Sequence, residues 1–151
     1  MRTENQFNAY LSGEFKRFYP KLTYMKTSDK YNVGVPDFFL WAYGTCRGLE
    51  SKFIKKLPEN ADSKLLEHPF SPTQLTFLHK IEGTFNHGFG VIGCDANKIM
   101  YVIRSPFIPS NGNMTRQELQ DLIDMGKVTL FEFGDIEAFF DHLFLEYEEI
   151  K

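Results

Sequence analysis

Two acidic residues and a lysine stand near one another in a stretch that alternates as a β-hairpin does. Asp37 heads an aromatic run, and twelve residues separate it from Glu50, which is followed two positions later by Lys52. Carboxylate oxygens are the ligands that Mg²⁺ takes from proteins, usually one or two at a time. A divalent ion beside a lysine can polarise a phosphate, activate a water and stabilise the charge that develops on phosphorus. These residue types therefore predict hydrolysis of a phosphodiester bond.

Two predicted strands must position these side chains. Asp37 to Tyr43 predicts the first, because it is aromatic and apolar, and about Cys46 to Ile54 predicts the second, after a break at Gly44-Thr45. In the second strand Glu50 and Lys52 point to one face, while Leu49, Ser51 and Phe53 point to the other. This alternation favours a site built on a rigid sheet. The alternative is a surface ion pair between Glu50 and Lys52.

The spacing acid-x-Lys is not specific by itself, because it occurs four times in the chain. The four pairs are Glu14 with Lys16, Glu50 with Lys52, Asp62 with Lys64, and Glu149 with Lys151. Only the pair at Glu50 lies on an alternating strand with apolar neighbours. It is also the only one preceded by Pro-Asp at the head of an adjacent strand. The prediction therefore depends on this context and not on the tripeptide.

The remaining segments predict one domain over residues 1–151 in which helices and strands are mixed. Thr3 to Phe18 predicts an amphipathic helix, because apolar residues recur every three or four positions. Ser71 to Gln74 and Thr115 to Glu118 have the pattern of capping boxes, which predicts two more helices. Further elements are predicted as strands at Lys21–Met25, Gly88–Cys94, Lys98–Ile103 and Lys127–Phe133, and as a last helix at Asp135–Glu149. A polar insertion at Lys55–Phe70 interrupts the pattern.

Composition limits the classes of protein to which the chain can belong. A length of 151 residues with 42% hydrophobic content is enough for one good core. No apolar run reaches the length of a membrane span, and the first residues lack the pattern of a signal peptide. Cys46 and Cys94 have no paired spacing, which indicates reduced thiols. We expect a cytoplasmic protein, in the host cytoplasm if the chain comes from a phage, with no membrane partner.

The net charge of −3 conceals an uneven distribution. Residues 1–57 contain ten Lys or Arg and five Asp or Glu, whereas residues 58–151 contain seven and fifteen. The basic part is the part that carries the predicted hairpin. A local positive field there would attract a phosphate backbone, although small domains also show such unevenness by chance.

Taken in order, these motifs resemble the PD-(D/E)xK nuclease superfamily. The residues that carry the likeness are Gly34-Val-Pro-Asp37, Gly48-Leu-Glu50-Ser-Lys52 and Phe70-Ser-Pro-Thr-Gln74. The likeness covers about residues 3–103, so that residues 104–151 form an extension. It is greatest to the VRR-NUC domains and to the small Holliday-junction resolvases, including those of phages. The resemblance implies a central mixed β-sheet flanked by helices, with the core order αβββαβ.

The resemblance also implies roles for individual residues. Asp37 and Glu50 become metal ligands for Mg²⁺ or Mn²⁺, the main-chain carbonyl of Ser51 a third ligand, and Lys52 the catalytic lysine. A glutamate on the first helix often completes the family site. The preferred residue is Glu4, because it is followed by apolar residues in the family pattern, and Glu14 is the alternative.

Four further residues are candidates with ordinary explanations beside the functional one. Gln74 matches a glutamine that VRR-NUC domains carry after their Ser-Pro, but its place in a capping box explains it equally well. Lys30, Lys55 and Lys56 are candidate contacts to the DNA backbone, although lysines at loop edges are usually only solvated.

These features predict a Mg²⁺-dependent DNA endonuclease that selects Holliday junctions or other branched DNA. A resolvase cuts two strands symmetrically, so this form predicts a homodimer. One alternative is a monomeric nicking or DNA-repair nuclease. The other is a non-catalytic DNA-binding or assembly protein that keeps the nuclease fold.

Overall fold

The computed structural model describes residues 1, 3–19, 23–26, 34–83, 86–145 and 147. The helices in these ranges are α1 (Glu4–Phe18), α2 (Pro72–Ile81), α3 (Arg116–Asp124), α4 (Ile136–Leu143) and a short 3₁₀ helix (Ser105–Phe107). The strands are β1 (Thr23–Lys26), β2 (Phe38–Ala42), β3 (Thr45–Ile54), β4 (Asn86–Cys94), β5 (Ile99–Arg104) and β6 (Val128–Glu132). Within the described ranges, no helix is long and apolar enough to cross a membrane.

The six described strands form one mixed sheet in the order β1-β2-β3-β4-β5-β6. Neighbouring strands are antiparallel except for β3 and β4, which are parallel. A parallel pair needs a crossover connection, and α2 lies in the segment that supplies it. The order from α1 to β4 is therefore αβββαβ, as predicted.

Each face of the sheet is covered by a separate hydrophobic core. Residues of α1 and α4 pack on one face, and residues of α2 and α3 pack on the other. Burying one phenylalanine side chain contributes about 1.5–3 kcal/mol, so the aromatic residues dominate the first core. The phenylalanines that are fully buried there are Phe7, Phe15, Phe38, Phe89 and Phe139. Segments after Ile103, including β6 and α4, contribute to these same cores.

All three predicted helix starts are found in the structure. Thr3 accepts a hydrogen bond from the Gln6 N–H and caps α1. The predicted capping boxes at the starts of α2 and α3 are both formed with reciprocal hydrogen bonds. Such caps satisfy N–H groups that would otherwise lack partners at a helix start, which explains why the sequence marks these positions clearly.

The turn between β2 and β3 differs by one residue from the prediction. Thr45 pairs with Ala42, so the two-residue loop is Tyr43-Gly44 and not Gly44-Thr45. Both loop residues have positive φ, 54° at Tyr43 and 73° at Gly44, as a type I′ hairpin turn requires. Glycine adopts this backbone without strain, whereas tyrosine does so only because the hairpin demands it.

The last helix is shorter than predicted, because an arginine from β3 binds the carbonyl groups at its end. The Arg47 guanidinium donates to the carbonyls of Leu143, at 2.6 Å, and Leu145, at 3.3 Å. These carbonyls would otherwise accept the N–H groups of a continuing helix. Helix α4 ends at Leu143, and the predicted acidic continuation falls largely on residues 146 and 148–149, outside the described ranges.

Candidate active site

The site lies where β2 stops pairing with β3. The last pair in the register joins Phe38 to Leu49, and β3 then continues beside β4 as far as Ile54. Asp37, immediately before β2, accepts the Ser51 N–H at 2.9 Å on its Oδ2 atom. A carboxylate thus takes the place of a strand partner at this edge, which fixes Asp37 beside the continuing part of β3.

Three carboxylates converge at this edge. One oxygen each from Glu4, Asp37 and Glu50 lies within 4.8 Å of the other two. They come from the first turn of α1, the entry to β2 and the middle of β3, so the folded sheet and helix together assemble the cluster. The alternative glutamate, Glu14, lies ten residues further along α1, about 15 Å away at helical rise. It is placed 4.0 Å from Arg17 instead.

Glu50 is almost completely buried and only half satisfied by hydrogen bonds. Its Oε1 atom accepts from Gln74 Nε2 at 2.9 Å, whereas its Oε2 atom has no hydrogen-bond partner in the described part of the chain. Burial and then the charge of Asp37 raise the pKa of Glu50 to about 9, against the opposing effect of Lys52. An acid of this kind is protonated at neutral pH unless a cation lies beside it.

Gln74 serves the helix start and the site together. Its Oε1 atom accepts the Ser71 N–H at 2.8 Å and completes the capping box of α2. Its Nε2 atom donates to Glu50. The two ends of one amide group therefore make the capping hydrogen bond and the contact with Glu50, and the catalytic role of Gln74 stays a prediction.

Lys52 lies on the same face of β3 as Glu50, as predicted from the alternation. Its side chain is 5% exposed and its ammonium group lies 5.4 Å from the centre of the Phe70 ring. Burial raises the pKa of Glu4, as does Asp37, while Lys52 and His68 lower it. The lysine is therefore a buried positive charge that acts on the carboxylates of the cluster, which excludes the alternative of a surface ion pair.

Two buried polar residues behind the cluster hold Asp37. The Ser51 hydroxyl lies 2.8 Å from Asp37 Oδ2 and also contacts Asn8 Oδ1. Ser51 is fully buried and Asn8 is 8% exposed. Sequence reasoning did not identify Asn8, although it stands four residues after Glu4 and so lies on the same side of α1. The proposed role of the Ser51 main-chain carbonyl as a ligand stays a prediction.

Two of the predicted DNA-binding lysines, Lys55 and Lys56, lie beside the site. Lys55 and Lys56 are exposed and line a cleft of about 460 Å³ that also includes Glu4 and His68. Lys30 lies outside the described residues. The predicted insertion at 55–70 is therefore next to the acidic cluster.

The insertion is anchored to the rest of the protein at several points. Leu65 donates to the Met114 carbonyl at 2.9 Å, and Phe70 donates to the Gly112 carbonyl at 2.9 Å. Leu65 and Phe70 are buried. These contacts hold the wall of the cleft against the segment before α3.

A second acid, Glu82, lies partly buried at the other end of α2. Glu82 accepts hydrogen bonds from His87 at 2.8 Å, Arg104 at 2.9 Å and the Gly88 N–H at 3.0 Å. Burial acts to raise the pKa of Glu82, but these hydrogen bonds outweigh it and lower the pKa. The Arg104 guanidinium also lies 4.7 Å from the centre of the Tyr147 ring. This network is compensated in charge, unlike the cluster at Glu50.

The fold is shared with a DNA junction enzyme of known structure. No protein-family model matches the sequence, and no curated protein matches it significantly. The solved structure of Hjc, a Holliday junction resolvase from the archaeal hyperthermophile Archaeoglobus fulgidus, matches with a TM-score of 0.53. The sequence identity is 12%, and the match covers 77% of this chain and 91% of that one. The predicted fold class is confirmed, whereas the particular likeness to VRR-NUC domains stays a prediction.

Proposed function

We propose that the protein is a divalent-metal-dependent DNA endonuclease that acts on branched DNA. The observation that carries this proposal is the convergence of Glu4, Asp37 and Glu50 within 4.8 Å beside the buried Lys52. A fold shared with a Holliday junction resolvase supports the choice of DNA as the substrate. The particular substrate, the ion and the roles below are part of the proposal.

The donor set of the cluster fits Mg²⁺ or Mn²⁺. It offers hard carboxylate oxygens from Glu4, Asp37 and Glu50, to which the Ser51 carbonyl would be added as a fourth ligand. Oε2 of Glu50 is buried without a hydrogen-bond donor in the described ranges, as an atom intended for a cation would be. When bound, the ion would polarise the scissile phosphate and lower the pKa of a water.

The protein's own residues would supply the remaining parts of the reaction. Lys52 would orient the attacking water and stabilise the negative charge that grows on the phosphate in the transition state. Gln74 would hold the Glu50 carboxylate in place through its 2.9 Å hydrogen bond. Lys55 and Lys56, together with Lys30, would contact the DNA backbone, and such contacts position the substrate without reading its sequence.

Cleavage of a panel of DNA substrates tests the proposal. Single-stranded, duplex, flap and four-way DNA would each be incubated with Mg²⁺, Mn²⁺ or EDTA. We expect metal-dependent cutting, with paired symmetric cuts in the four-way junction in preference to linear duplex. Equal cutting of all substrates would favour the simple nicking or repair nuclease. Binding without cutting under any condition would favour a non-catalytic DNA-binding protein.

A matched pair of lysine variants separates the site from its surroundings. Lys52→Ala is expected to abolish cleavage while DNA binding remains. Lys64→Ala removes a lysine with the same acid-x-Lys spacing at an exposed position 3.9 Å from Glu118, and it is expected to cut normally. Full activity of Lys52→Ala would contradict the proposed role of this residue.

The branched-DNA form of the proposal also requires two active sites in one complex. We expect a homodimer, because two symmetric cuts need two symmetric active sites. Light scattering of the free protein and of its junction complex measures this directly. A monomer in both states would leave nicking as the activity.

A further inference from the structure

We infer that Asn8 is a positioning residue, which acts through the Ser51 hydroxyl to orient Asp37 in the acidic cluster. The inference rests on the proposed metal site and extends it to a residue that does not touch the ion. It starts from two polar side chains, Asn8 on α1 and Ser51 on β3, that are both buried.

Burying polar groups is costly unless they satisfy one another. An unpaired buried hydroxyl or amide costs about 1–3 kcal/mol in proteins. Asn8 is 8% exposed and Ser51 is fully buried, and the two are in hydrogen-bond contact. An alanine or leucine pair would fill the same space without this requirement. The polar pair therefore needs a reason beyond packing.

The reason is the contact that Ser51 makes with Asp37. The Ser51 N–H and the Ser51 hydroxyl both reach Asp37 Oδ2, at 2.9 Å and 2.8 Å. Two contacts on one oxygen fix the plane of the carboxylate and leave Oδ1 to act as a ligand. Outer contacts of this kind orient metal ligands and affect metal affinity.

The direction of the hydrogen bonds follows from the number of protons. The Ser51 hydroxyl has one proton, so it cannot donate to both Asn8 Oδ1 and Asp37 Oδ2. Rotation of the Asn8 amide by 180° about χ2 brings its NH₂ group to the same contact. Asn8 then donates to Ser51 Oγ, and Ser51 Oγ donates to Asp37. Each of the two contacts in the relay then joins one donor to one acceptor.

Helix α1 thus contributes to the cluster twice within one turn. Glu4 enters it directly, and Asn8, four residues later on the same side of the helix, fixes Asp37 through Ser51. The position of α1 on the sheet consequently determines where two of the three carboxylates lie, those of Glu4 and Asp37.

Mn²⁺ affinity, measured by electron paramagnetic resonance on the full chain, tests the inference. We expect Asn8→Leu and Ser51→Ala each to weaken Mn²⁺ binding by about 10-fold or more. When Asn8→Leu is added to Ser51→Ala, the further change is expected to be below about 2-fold, because the relay is already broken. Asn5→Leu is the matched control, since Asn5 is exposed on the same turn of α1, and it is expected to bind as the wild type does.

Each other outcome has a definite meaning. The inference would be overturned if Asn8→Leu bound Mn²⁺ with wild-type affinity. It would also be overturned if Asn8→Leu weakened Mn²⁺ binding equally in the wild type and in Ser51→Ala. Circular dichroism and the melting temperature show whether the variant is folded, and Asn8→Ala serves if Asn8→Leu is not. A wild-type protein that binds no Mn²⁺ would overturn both proposals. A wild-type protein that binds Mn²⁺ but cuts no DNA would overturn the proposed function alone.

Discussion

Glu50, on β3 beside the start of α2, and Glu82, at the end of α2, have surroundings that shift their pKa values in opposite directions. Glu82 receives hydrogen bonds from Arg104, His87 and a backbone N–H, and its pKa is lowered by these donors despite its burial. Glu50 lies beside two other acids, and burial together with Asp37 raises its pKa to about 9. The Glu82 carboxylate has its hydrogen-bond donors in place, whereas the Glu50 carboxylate has one oxygen without a hydrogen-bond partner in the described structure.

This is the difference expected between an acid that holds the fold together and an acid that binds a metal ion. A buried charge whose partners are all present joins segments of the protein, as Glu82 joins α2 to β4 and β5. A group of like charges without sufficient partners destabilises the fold and persists only where another component completes it. The same substitution at Glu50 and at Glu82 should therefore have different effects on cleavage, stability and pH dependence.

The largest expected effect is on cleavage. Glu50→Gln removes a proposed metal ligand, and we expect cleavage to fall by about 1,000-fold or more, because metal ions supply several kcal/mol of transition-state stabilisation. Glu82→Gln is the same substitution at the other end of α2, and we expect cleavage per folded molecule within about 3-fold of wild type. Initial rates on the preferred DNA substrate measure both. Equal loss of activity in the two variants would remove the distinction between them.

The next effect is on stability, where Glu82→Gln is expected to be affected more than Glu50→Gln. Glu82→Gln removes the carboxylate from the partly buried Arg104 charge, and we expect a loss of about 2 kcal/mol in the free energy of unfolding. Glu50→Gln removes an acid that must take up a proton when the metal-free protein folds at pH 8, and this variant is expected to unfold at the same or a higher urea concentration. Urea denaturation at pH 8 in EDTA compares them. A Glu50→Gln variant less stable than Glu82→Gln would contradict the assignment.

The dependence of stability on pH follows from the direction of each pKa shift. The folded-state pKa of Glu50 is above its ordinary value of 4.5. Its stabilising contribution to the free energy of unfolding is therefore complete below about pH 4.5 and is lost as the pH rises toward 9. We expect the metal-free protein to lose on the order of 4 kcal/mol between pH 5 and pH 8 through this group. Glu50→Gln should abolish that loss in urea titrations.

Glu82 provides the internal control for this pH experiment. Its pKa is lowered, so its contribution is present above about 4.5 and is lost as the pH falls through the folded-state pKa. Glu82→Gln should therefore change the acid side of the stability profile and leave the slope between pH 5 and pH 8 unchanged. If the slope between pH 5 and pH 8 disappeared in Glu82→Gln, it would come from Glu82 and not from Glu50, which would contradict the account.

The smallest effect compares two capping residues. Gln74 and Glu118 complete equivalent capping boxes, and loss of either side chain should cost about 1 kcal/mol. Only Gln74 also donates to Glu50, so Gln74→Leu should reduce cleavage and Glu118→Leu should not. Thermal unfolding and initial rates on the two variants measure this. Equal cleavage by both variants would show that Gln74 serves only the helix.

The parts of the protein that could be predicted from the sequence are those with local signals. The capping boxes, the aromatic strand after Asp37 and the alternation around Glu50 each depend on neighbours a few residues away, and each was found as expected. The end of α4 was not predictable, because it depends on Arg47, about a hundred residues earlier. Asn8 was missed for the same reason, since its partner Ser51 lies on another element.

Calorimetric titration of the wild-type protein with Mn²⁺ at pH 7.5 tests the central claim most directly. Performed in two buffers of different ionisation enthalpy, it measures ion binding and proton release together. Since Glu50 has a pKa of about 9 without the ion, we predict saturable binding with release of about one proton per site, and loss of both in Glu50→Gln. No binding, or binding unchanged in Glu50→Gln, would contradict the account.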